Sequence, residues 1–268
     1  MSVGMRVALK IAYFGGAFYG HQRQPNVRTV EGECLRALKT AQIVQDPVAA
    51  FFRSASRTDR GVSAIGNVIA FDTSLPPDGV VGAFNDRARD VWAWAVADVP
   101  DGFHPRHARE RWYRYYITEE LPVAPLREAA ALFEGAHDMR SFTSDPPAGP
   151  LRVNRIDVSR EENAVVIDLT APSFRRGLVR RIVAAVIAHA HGEAPLAAID
   201  AALRGERRDF GIAPAEDLVL MDVRYDVPFR PVLVRKARAE WRHLELQANA
   251  HLRFLGLLHA ASQSPPSG

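Results

Sequence analysis

The sequence reads Ser56-Arg57-Thr58-Asp59-Arg60-Gly61-Val62-Ser63-Ala64 between two apolar stretches that predict strands, Val48–Arg53 and Asn67–Asp72. This polar segment places one carboxylate, Asp59, between two arginines and just before a glycine. The neighbouring cations favour the charged form of the carboxylate, and Gly61 allows a sharp bend of the backbone. The segment therefore predicts either an ordinary surface turn or a loop that presents an ionised acid as a nucleophile or base.

The elements on either side of this loop follow the same order twice. The first half predicts strands Val7–Tyr13, Val48–Arg53, Asn67–Asp72 and Val91–Val99, with helices near Val30–Ala41 and Val80–Arg87. The second half predicts strands Trp112–Thr118, Val153–Ser159, Val165–Leu169 and Leu218–Tyr225, with helices near Leu126–Gly135, Phe174–Ala190 and Leu196–Leu203. Apart from one extra helix, each half reads β-α-β-β-α-β. We expect an α+β fold of two tandem ferredoxin-like, or RRM-like, halves that share one continuous, mainly antiparallel sheet, with a cleft between the halves.

This order also predicts the domain organisation. Residues 1–103 form the N-terminal half with the Asp59 loop, and residues 104–226 form the C-terminal half. Residues 227–268 form an extension with an amphipathic helix over Glu240–Leu258 and a polar, proline-rich tail that we expect to be disordered.

Charge is distributed unevenly along the chain. The formal net charge is only +3, but residues 53–60, 104–116 and 173–181 together carry +9, so the remainder carries −6. Arginine supplies 31 of the 34 basic residues, and its planar guanidinium binds phosphate and stacks on bases. If the three segments converge, they form a nucleic-acid-binding surface; otherwise they are solvated faces of an arginine-rich chain.

Several classes of protein are excluded by composition. There is no run of 18 apolar residues and no signal-peptide pattern, so we expect a cytoplasmic protein without a membrane span. The single cysteine, Cys34, permits no intrachain disulfide and predicts a packing role. The histidine pairs His104 with His107 and His189 with His191 suggest a metal site, but with a single cysteine and no His-Glu-x-x-His motif no zinc site is expected.

One predicted helix, Phe174–Ala190, combines an apolar stripe with a basic ridge. Arg176 and Arg180 lie four residues apart, and on a helix they would point the same way. The apolar stripe has the same spacing: Phe174, Leu178, Ile182 and Val186.

Five segments, in order, resemble the motifs of the TruA family of tRNA pseudouridine synthases. They are Tyr13–Gln24 (Tyr-Phe-Gly-Gly-Ala-Phe-Tyr-Gly-His-Gln-Arg-Gln), Arg57–Val62 (Arg-Thr-Asp-Arg-Gly-Val), Asp101–Arg106 (Asp-Gly-Phe-His-Pro-Arg), Arg111–Tyr115 (Arg-Trp-Tyr-Arg-Tyr) and Phe174–Arg180 (Phe-Arg-Arg-Gly-Leu-Val-Arg). Phe14 and His21 replace the family's Asp and Trp. Arg60 and Ser63 stand where bacterial members commonly have Ala and His, which resembles archaeal and eukaryotic members.

The resemblance implies a cofactor-free isomerase that converts uridine to pseudouridine at positions 38, 39 and/or 40 of the tRNA anticodon stem-loop, working as a cytoplasmic homodimer. It implies that Asp59 is the catalytic residue and that Tyr113, Arg57, Arg180 and Leu218 bind the substrate. The sequence leaves open whether the carboxylate attacks the base, attacks the sugar or takes the 2′ proton.

Two other functions remain open at this stage. A non-catalytic RNA-binding module of RRM-like architecture would not need Asp59. A nucleoside or glycoside hydrolase would need a second acid, for which Asp72 is the candidate. Each implied site residue also has an ordinary structural interpretation: Tyr113 as a packed strand aromatic, Arg57 as a turn cap, Arg180 as a solvated helix charge and Leu218 as core.

Overall fold

The computed structural model describes residues 4–145, 148–232 and 234–263. The chain divides into two compact units after Val232. None of the helices in the described residues has the length and hydropathy of a membrane span.

The chain forms an α+β fold with one large sheet and six α-helices in its described residues, as the sequence predicts. The strands are β1 Met5–Tyr13, β2 Arg53–Ser54, β3 Ser63–Thr73, β4 Val91–Val99, β5 Glu110–Ile117, β6 Gly135–His137, β7 Leu151–Val153, β8 Arg155–Glu161, β9 Ala164–Ala171, β10 Leu218–Arg224 and β11 Arg230–Pro231. The helices are α1 Val30–Thr40, α2 Pro77–Arg87, α3 Val123–Ala131, α4 Leu178–Ala190, α5 Leu196–Leu203 and α6 Arg235–Gln263, with a short 3-10 turn at Gly15–Ala17.

The large sheet has nine strands and is almost entirely antiparallel. Its order is β11-β4-β1-β3-β10-β5-β9-β8, and β2 pairs with the free part of β3. In the first half β1 lies between β3 and β4, and in the second half β5 lies between β9 and β10. The two sets of strands meet in one parallel pairing, β3 with β10, which spans only Ser63 opposite Val219 and Ala64 opposite Leu220.

The backbones of β3 and β10 approach each other very closely just beyond this pairing. The register of β10 against β5 shifts between Leu220 and Asp222. A Cβ atom at Gly66 on β3 would lie 2.6 Å from the carbonyl oxygen of Met221 and 2.8 Å from Oδ1 of Asp222. The junction therefore requires a residue without a side chain at position 66.

Strand β5 shows how one face of the sheet is packed and the other is partly open. Arg111, Tyr113, Tyr115 and Ile117 are buried, whereas the residues between them are only half-buried. This alternation is the period of a strand with one face toward the core. Helix α2 packs against β4, and α3 packs against β8 and α4.

The predicted strand Val48–Arg53 is wrong over most of its length. The segment instead makes a turn, in which Ala50 N donates to the carbonyl of Asp46 at 2.9 Å and Val48 N donates to Oδ1 of Asp46 at 2.8 Å. Asp46 satisfies these amides locally, as aspartate does at turns. Only Arg53–Ser54 then remains to pair with β3.

The predicted helix Phe174–Ala190 begins four residues later than expected. Gly177 precedes Leu178 with a φ of +74°, a left-handed conformation that an α-helix cannot include. Phe174 and Arg176 therefore lie in the preceding turn and not on the helix. The apolar stripe is confirmed within the helix proper, where Leu178, Ile182 and Val186 are buried.

The second unit contains α6, which is longer than the predicted Glu240–Leu258. The helix continues to Gln263, since no proline interrupts the chain before Pro265. Of the tail predicted as disordered, residues 264–268 lie outside the described residues.

The substitution Gly66→Ala should destabilise the fold by about 2 kcal/mol, because a methyl group there meets the backbone of β10, which cannot rotate away. Urea-induced unfolding followed by circular dichroism measures this change. Gly82→Ala in α2 is the matched control: nothing lies within 4 Å of its Cβ position, so this variant should be as stable as the wild type or slightly more stable. Equal stabilities for the two variants would contradict the close approach.

Candidate active site

The Asp59 loop is a tight turn that leads directly into β3. Val62 N donates to the carbonyl of Asp59 at 3.2 Å, and Gly61 has a φ of +90°, as the sequence predicts for a sharp bend. The loop rests on the 3-10 turn: Gly15 N donates to Oγ of Ser63 at 3.0 Å, and a Cβ at Gly15 would lie 2.2 Å from the Gly61 carbonyl oxygen. The opening motif and the aspartate loop are therefore packed backbone against backbone.

A buried network of hydrogen bonds fixes the loop on both sides of Arg57. Asn67 Nδ2 donates to the Tyr13 hydroxyl at 3.1 Å and to the Ser56 carbonyl at 3.0 Å, while Ser56 N donates to Asn67 Oδ1 at 3.2 Å. The Tyr13 hydroxyl also shares a hydrogen bond of 2.9 Å with Oγ1 of Thr58. Burial raises the pKa of Tyr13 well above its ordinary value, so the phenol stays neutral and available for these bonds.

Two arginines lie within ion-pair distance of the carboxylate of Asp59. Arg180 Nη1 lies 3.3 Å from Oδ2, and Arg176 Nε lies 3.8 Å from Oδ1. Arg180 is itself held, since its Nε donates to the carbonyl of Ala213 at 2.7 Å. Arg176 is mostly exposed, whereas the Asp59 side chain retains about a third of its accessible surface. The carboxylate is thus contacted by one anchored arginine and one exposed arginine, and it remains partly open to a ligand.

Tyr113 lies beside this ion pair. Burial raises its pKa to about 12; the negative charge of Asp59 acts in the same direction, while Arg111 and a hydrogen bond with Ser56 oppose the shift. The ring of Phe174 packs edge-on against Tyr113, with centroids 5.2 Å apart and planes at 84°. At neutral pH the site therefore contains a protonated phenol next to a carboxylate.

The other two residues predicted to bind the substrate are Arg57 and Leu218. Arg57 is exposed on the loop. Leu218 is buried on β10, but its register partner on β5 is Tyr115, and the residue directly opposite Tyr113 is Leu220. The sequence does not predict Leu220 as the neighbour of Tyr113, because only the register between two strands distant in sequence brings the two residues together.

Asp217 was also missed, although it supports the site. The hydroxyl of Tyr115 donates to Oδ2 of Asp217 at 3.4 Å. Burial and this carboxylate raise the pKa of Tyr115, whereas nearby Arg180 lowers it. The residues from Ala213 to Asp217 thus contact both the arginine that holds Asp59 and the strand that carries Tyr113. Their sequence gives no signal of this role.

The three basic segments do not all contribute to one surface. Arg111 is buried and structural: it donates to Oγ of Ser56 at 3.1 Å, to the Arg106 carbonyl at 2.9 Å and to the Pro172 carbonyl. Arg109 and Arg114 of residues 104–116 form ion pairs, Arg109 with Asp226 at 2.7 Å and Arg114 with Asp168 at 2.8 Å. Near Asp59 the basic side chains are Arg57 and Arg60 of its own loop, together with Arg176 and Arg180, which contact its carboxylate. Arg175 and Arg181 pair with Asp145 and Asp209.

His21, which stands where the resembling family has Trp, is fully enclosed beside the aspartate loop. Its backbone N donates to the Thr58 carbonyl at 3.0 Å, and its ring lies 6.4 Å from that of Tyr13. Neither ring nitrogen has a hydrogen-bond partner in the described residues. Burial, with a smaller contribution from Arg57, lowers the pKa of His21 to about 4. The imidazole is therefore a neutral packing group at physiological pH.

Three other histidines, His104, His107 and His191, make contacts of their own. The rings of His104 and His107 lie 5.1 Å apart, and His191 contacts Glu119 at 2.9 Å. Within residues 4–145, 148–232 and 234–263, no group of three metal-ligating side chains converges. A cavity of about 640 Å³ exists elsewhere, on the polar face of the sheet, but its lining omits Asp59: Lys10, Arg109, Glu110, Asn154, Asp222, Val223, Arg224, Tyr225, Val227 and Phe229.

Acidification should destabilise the protein partly through His21. The pKa of His21 is about 4 in the folded state and about 6.5 in the unfolded state, so the unfolded state binds more protons below pH 6.5. The free energy of unfolding therefore decreases as the pH falls toward 4. Between about pH 7.5 and pH 5, this contribution amounts to a loss of roughly 2 kcal/mol. Urea unfolding at both pH values measures it. The His21→Phe variant should lose correspondingly less stability over the same interval, and an identical loss in both proteins would contradict the assignment.

Comparisons with known proteins identify the family of the chain. A family model described as tRNA pseudouridine synthase matches residues 129–226. The tRNA pseudouridine synthase A of Pyrococcus furiosus is 43% identical over 228 residues, which cover 83% of this chain and 84% of the relative. The enzyme of the same name from Pyrococcus horikoshii is 39% identical over 259 residues, covering 92% and 97%.

A further relative and one solved structure complete the comparison. The tRNA pseudouridine synthase A of Methanococcoides burtonii is 42% identical over 245 residues, covering 87% of this chain and 89% of its own. A crystal structure of pseudouridylate synthase aligns with 69% of this chain and 59% of its own, at 13% identity and a TM-score of 0.33, a likeness too small to support an argument. The identities to the sequence relatives, over nearly their whole lengths, are decisive: the chain belongs to the TruA family of tRNA pseudouridine synthases, isomerases that act on tRNA.

Proposed function

We propose that this protein converts uridine to pseudouridine at positions 38, 39 and/or 40 of the tRNA anticodon stem-loop, with Asp59 as the essential catalytic residue and without a cofactor. One observation carries the proposal: a carboxylate held by Arg180 and Arg176 lies beside the buried phenol of Tyr113. These residues belong to the motifs that resemble the family's active site.

The chemistry needs one well-placed acid. Pseudouridine forms when the N1–C1′ bond breaks, the uracil turns, and a C5–C1′ bond replaces it. One proton leaves C5 and one is gained at N1, so no electrons are exchanged with a co-reactant. A carboxylate near C1′ suits an oxocarbenium-like centre, as it does in glycosidases. Attack on the sugar, attack on the base and removal of the 2′ proton all require an accessible carboxylate in a defined position. Asp59 keeps about a third of its side-chain surface while Arg180 contacts its carboxylate.

Each neighbouring residue has a role in this proposal. Arg180 is a positioning residue, because the Ala213 carbonyl fixes its guanidinium while the guanidinium holds the carboxylate of Asp59. Tyr113 stacks on the uracil as a neutral phenol, consistent with its raised pKa. Leu218 lines the apolar side of the base pocket, and Arg57, exposed on the loop, binds a backbone phosphate.

The target uridine must leave its helical stack to reach Asp59, so we propose that the enzyme binds a flipped nucleotide. The basic residues of 53–60 and 173–181 offset part of the cost of this distortion by binding the phosphate backbone. We also propose, from the family resemblance, a cytoplasmic homodimer.

We infer that the scaffold consists of two ferredoxin-like halves, residues 1–103 and 104–226, with the extension 227–268. The support is the repeated strand order. In chain order the four strands are β1, β2, β3 and β4 in the first half and β5, β8, β9 and β10 in the second. When they are numbered one to four in that order, both halves have the spatial order 4-1-3-2. The cleft between the halves would then lie near the β3–β10 junction, where the Asp59 loop begins.

Asp72, the second acid that the sequence suggests for a hydrolase, does not lie near Asp59. Asp72 pairs with Arg6 at 2.6 Å near the far end of β3. Since β3 begins four residues after Asp59 and Asp72 is nine residues further along, the two acids are separated by about 30 Å of strand. Glycosidases place their two carboxyl groups within about 10 Å of each other.

Carbodiimide treatment and primer extension of an unmodified tRNA transcript test the proposal. The wild type should produce a new stop in the anticodon stem-loop, and its position identifies the modified uridine. Asp59→Asn should abolish the stop while preserving tRNA binding, because the amide keeps the side chain's shape but removes the charge. The expected loss of rate exceeds about 1,000-fold.

The matched control is Asp209→Asn, which removes an exposed carboxylate paired with Arg181 at 3.2 Å in the same basic region. This variant should retain activity. An active Asp59→Asn enzyme would refute the proposed role of Asp59. A wild type that binds tRNA but forms no pseudouridine would support the RRM-like binding module instead, and release of free uracil would support the hydrolase.

A further inference from the structure

An exposed aromatic ring and an arginine stack on each other next to the catalytic loop. The guanidinium carbon of Arg60 lies 4.4 Å from the centroid of the Tyr19 ring. Arg60 is exposed and Tyr19 keeps 49% of its accessible surface. Arg60 directly follows Asp59 in the chain.

The backbone fixes this pair relative to Asp59. A Cβ at Gly20, the residue after Tyr19, would lie 3.3 Å from the Thr58 carbonyl oxygen and 3.4 Å from the backbone N of Arg60. On its other side, Tyr19 N donates to the carbonyl of Arg28 at 2.8 Å. The position of the pair beside the carboxylate is therefore set by backbone contacts.

A second arginine–aromatic pair in the same segment shows what a purely structural contact looks like. Arg28 lies 4.6 Å from the ring centroid of Phe18, which is buried, and its guanidinium is paired with Asp90 at 2.6 Å. Arg60 differs in both respects: its aromatic partner is half exposed, and no carboxylate of the described residues lies within ion-pair distance of its guanidinium. Its hydrogen-bond donors and one stacking surface are available to a ligand.

We propose that Tyr19 and Arg60 form a stacking platform for the RNA base adjacent to the target uridine. This inference rests on the proposed function, because flipping a nucleotide toward Asp59 removes the stacking partner of its neighbour. Aromatic rings and guanidinium planes are the surfaces on which proteins stack unpaired bases, and they do so with little dependence on base identity. The platform thus replaces the stacking that the flipped uridine gives up.

Equilibrium binding of the tRNA transcript measures the contribution of the platform. Tyr19→Ala should raise Kd about tenfold, the scale of one lost base–aromatic stack. Tyr19→Phe should bind like the wild type, because it keeps the ring. Phe51→Ala is the control: Phe51 is similarly exposed, at 58%, but lies near Arg6 and the opposite end of β3.

Transcripts with a single abasic nucleotide, placed in turn at each position of the anticodon arm, identify the stacked base. At a nucleotide next to the modified uridine, base removal should weaken wild-type binding about tenfold, with no further loss on Tyr19→Ala. If base removal and Tyr19→Ala weaken binding additively at every position, the platform is overturned. Non-additive losses found only at a nucleotide remote from the modified uridine would also overturn it.

The binding readout separates this inference from the proposed function, since it does not require turnover. Coupling without any pseudouridine would refute the proposed function and retain the platform as an RNA contact. Pseudouridine formation without coupling would refute the platform alone.

Discussion

The parallel pairing of β3 with β10 is the constraint on which the site depends. It joins the two sets of strands through two residue pairs, at the end of β3 that receives the Asp59 loop. The same pairing aligns β10 so that the residues preceding it, Ala213 to Asp217, reach Arg180 and Tyr115. The contact between Asp59 and Arg180 is thus connected to the sheet at both ends: Asp59 lies on the loop that enters β3, and Arg180 is held by the carbonyl of Ala213, which precedes β10.

The structure divides the arginines of this chain into those whose charge is paired within the protein and those that are exposed to solvent. Arg111 and Arg114 are neutralised by carbonyl or carboxylate oxygens of the protein. Arg57 and Arg60 are exposed on the Asp59 loop. Net charge alone does not reveal this division, since a paired arginine adds little to the attraction of a phosphate. Arg57 and Arg60 form no ion pair within the described residues, so their positive charge is not neutralised by the protein.

The sequence predicts which elements carry the residues of the candidate site better than it predicts where those elements begin. The loop around Asp59, the strand with Tyr113 and the helix with Arg180 follow from motifs and hydrophobic periodicity, which are local properties. The start of α4 depends on the backbone angle of Gly177, and Leu220 lies opposite Tyr113 only through strand register. Angles and registers are settled by tertiary contacts, so no local pattern encodes them.

The electrostatics of the site follow from what burial does to its other titratable groups. Burial raises the pKa of Tyr13 and Tyr113, the latter to about 12, and lowers the pKa of His21 to about 4. All three are therefore neutral over the physiological range. Charged groups at the loop include the Asp59 carboxylate with its two arginines, Arg176 and Arg180, and Glu216, whose Oε1 lies 2.8 Å from the position of a Cβ at Gly61. If Asp59 acts next to a positively charged sugar centre, as we propose, surroundings less polar than water screen their interaction less than water would.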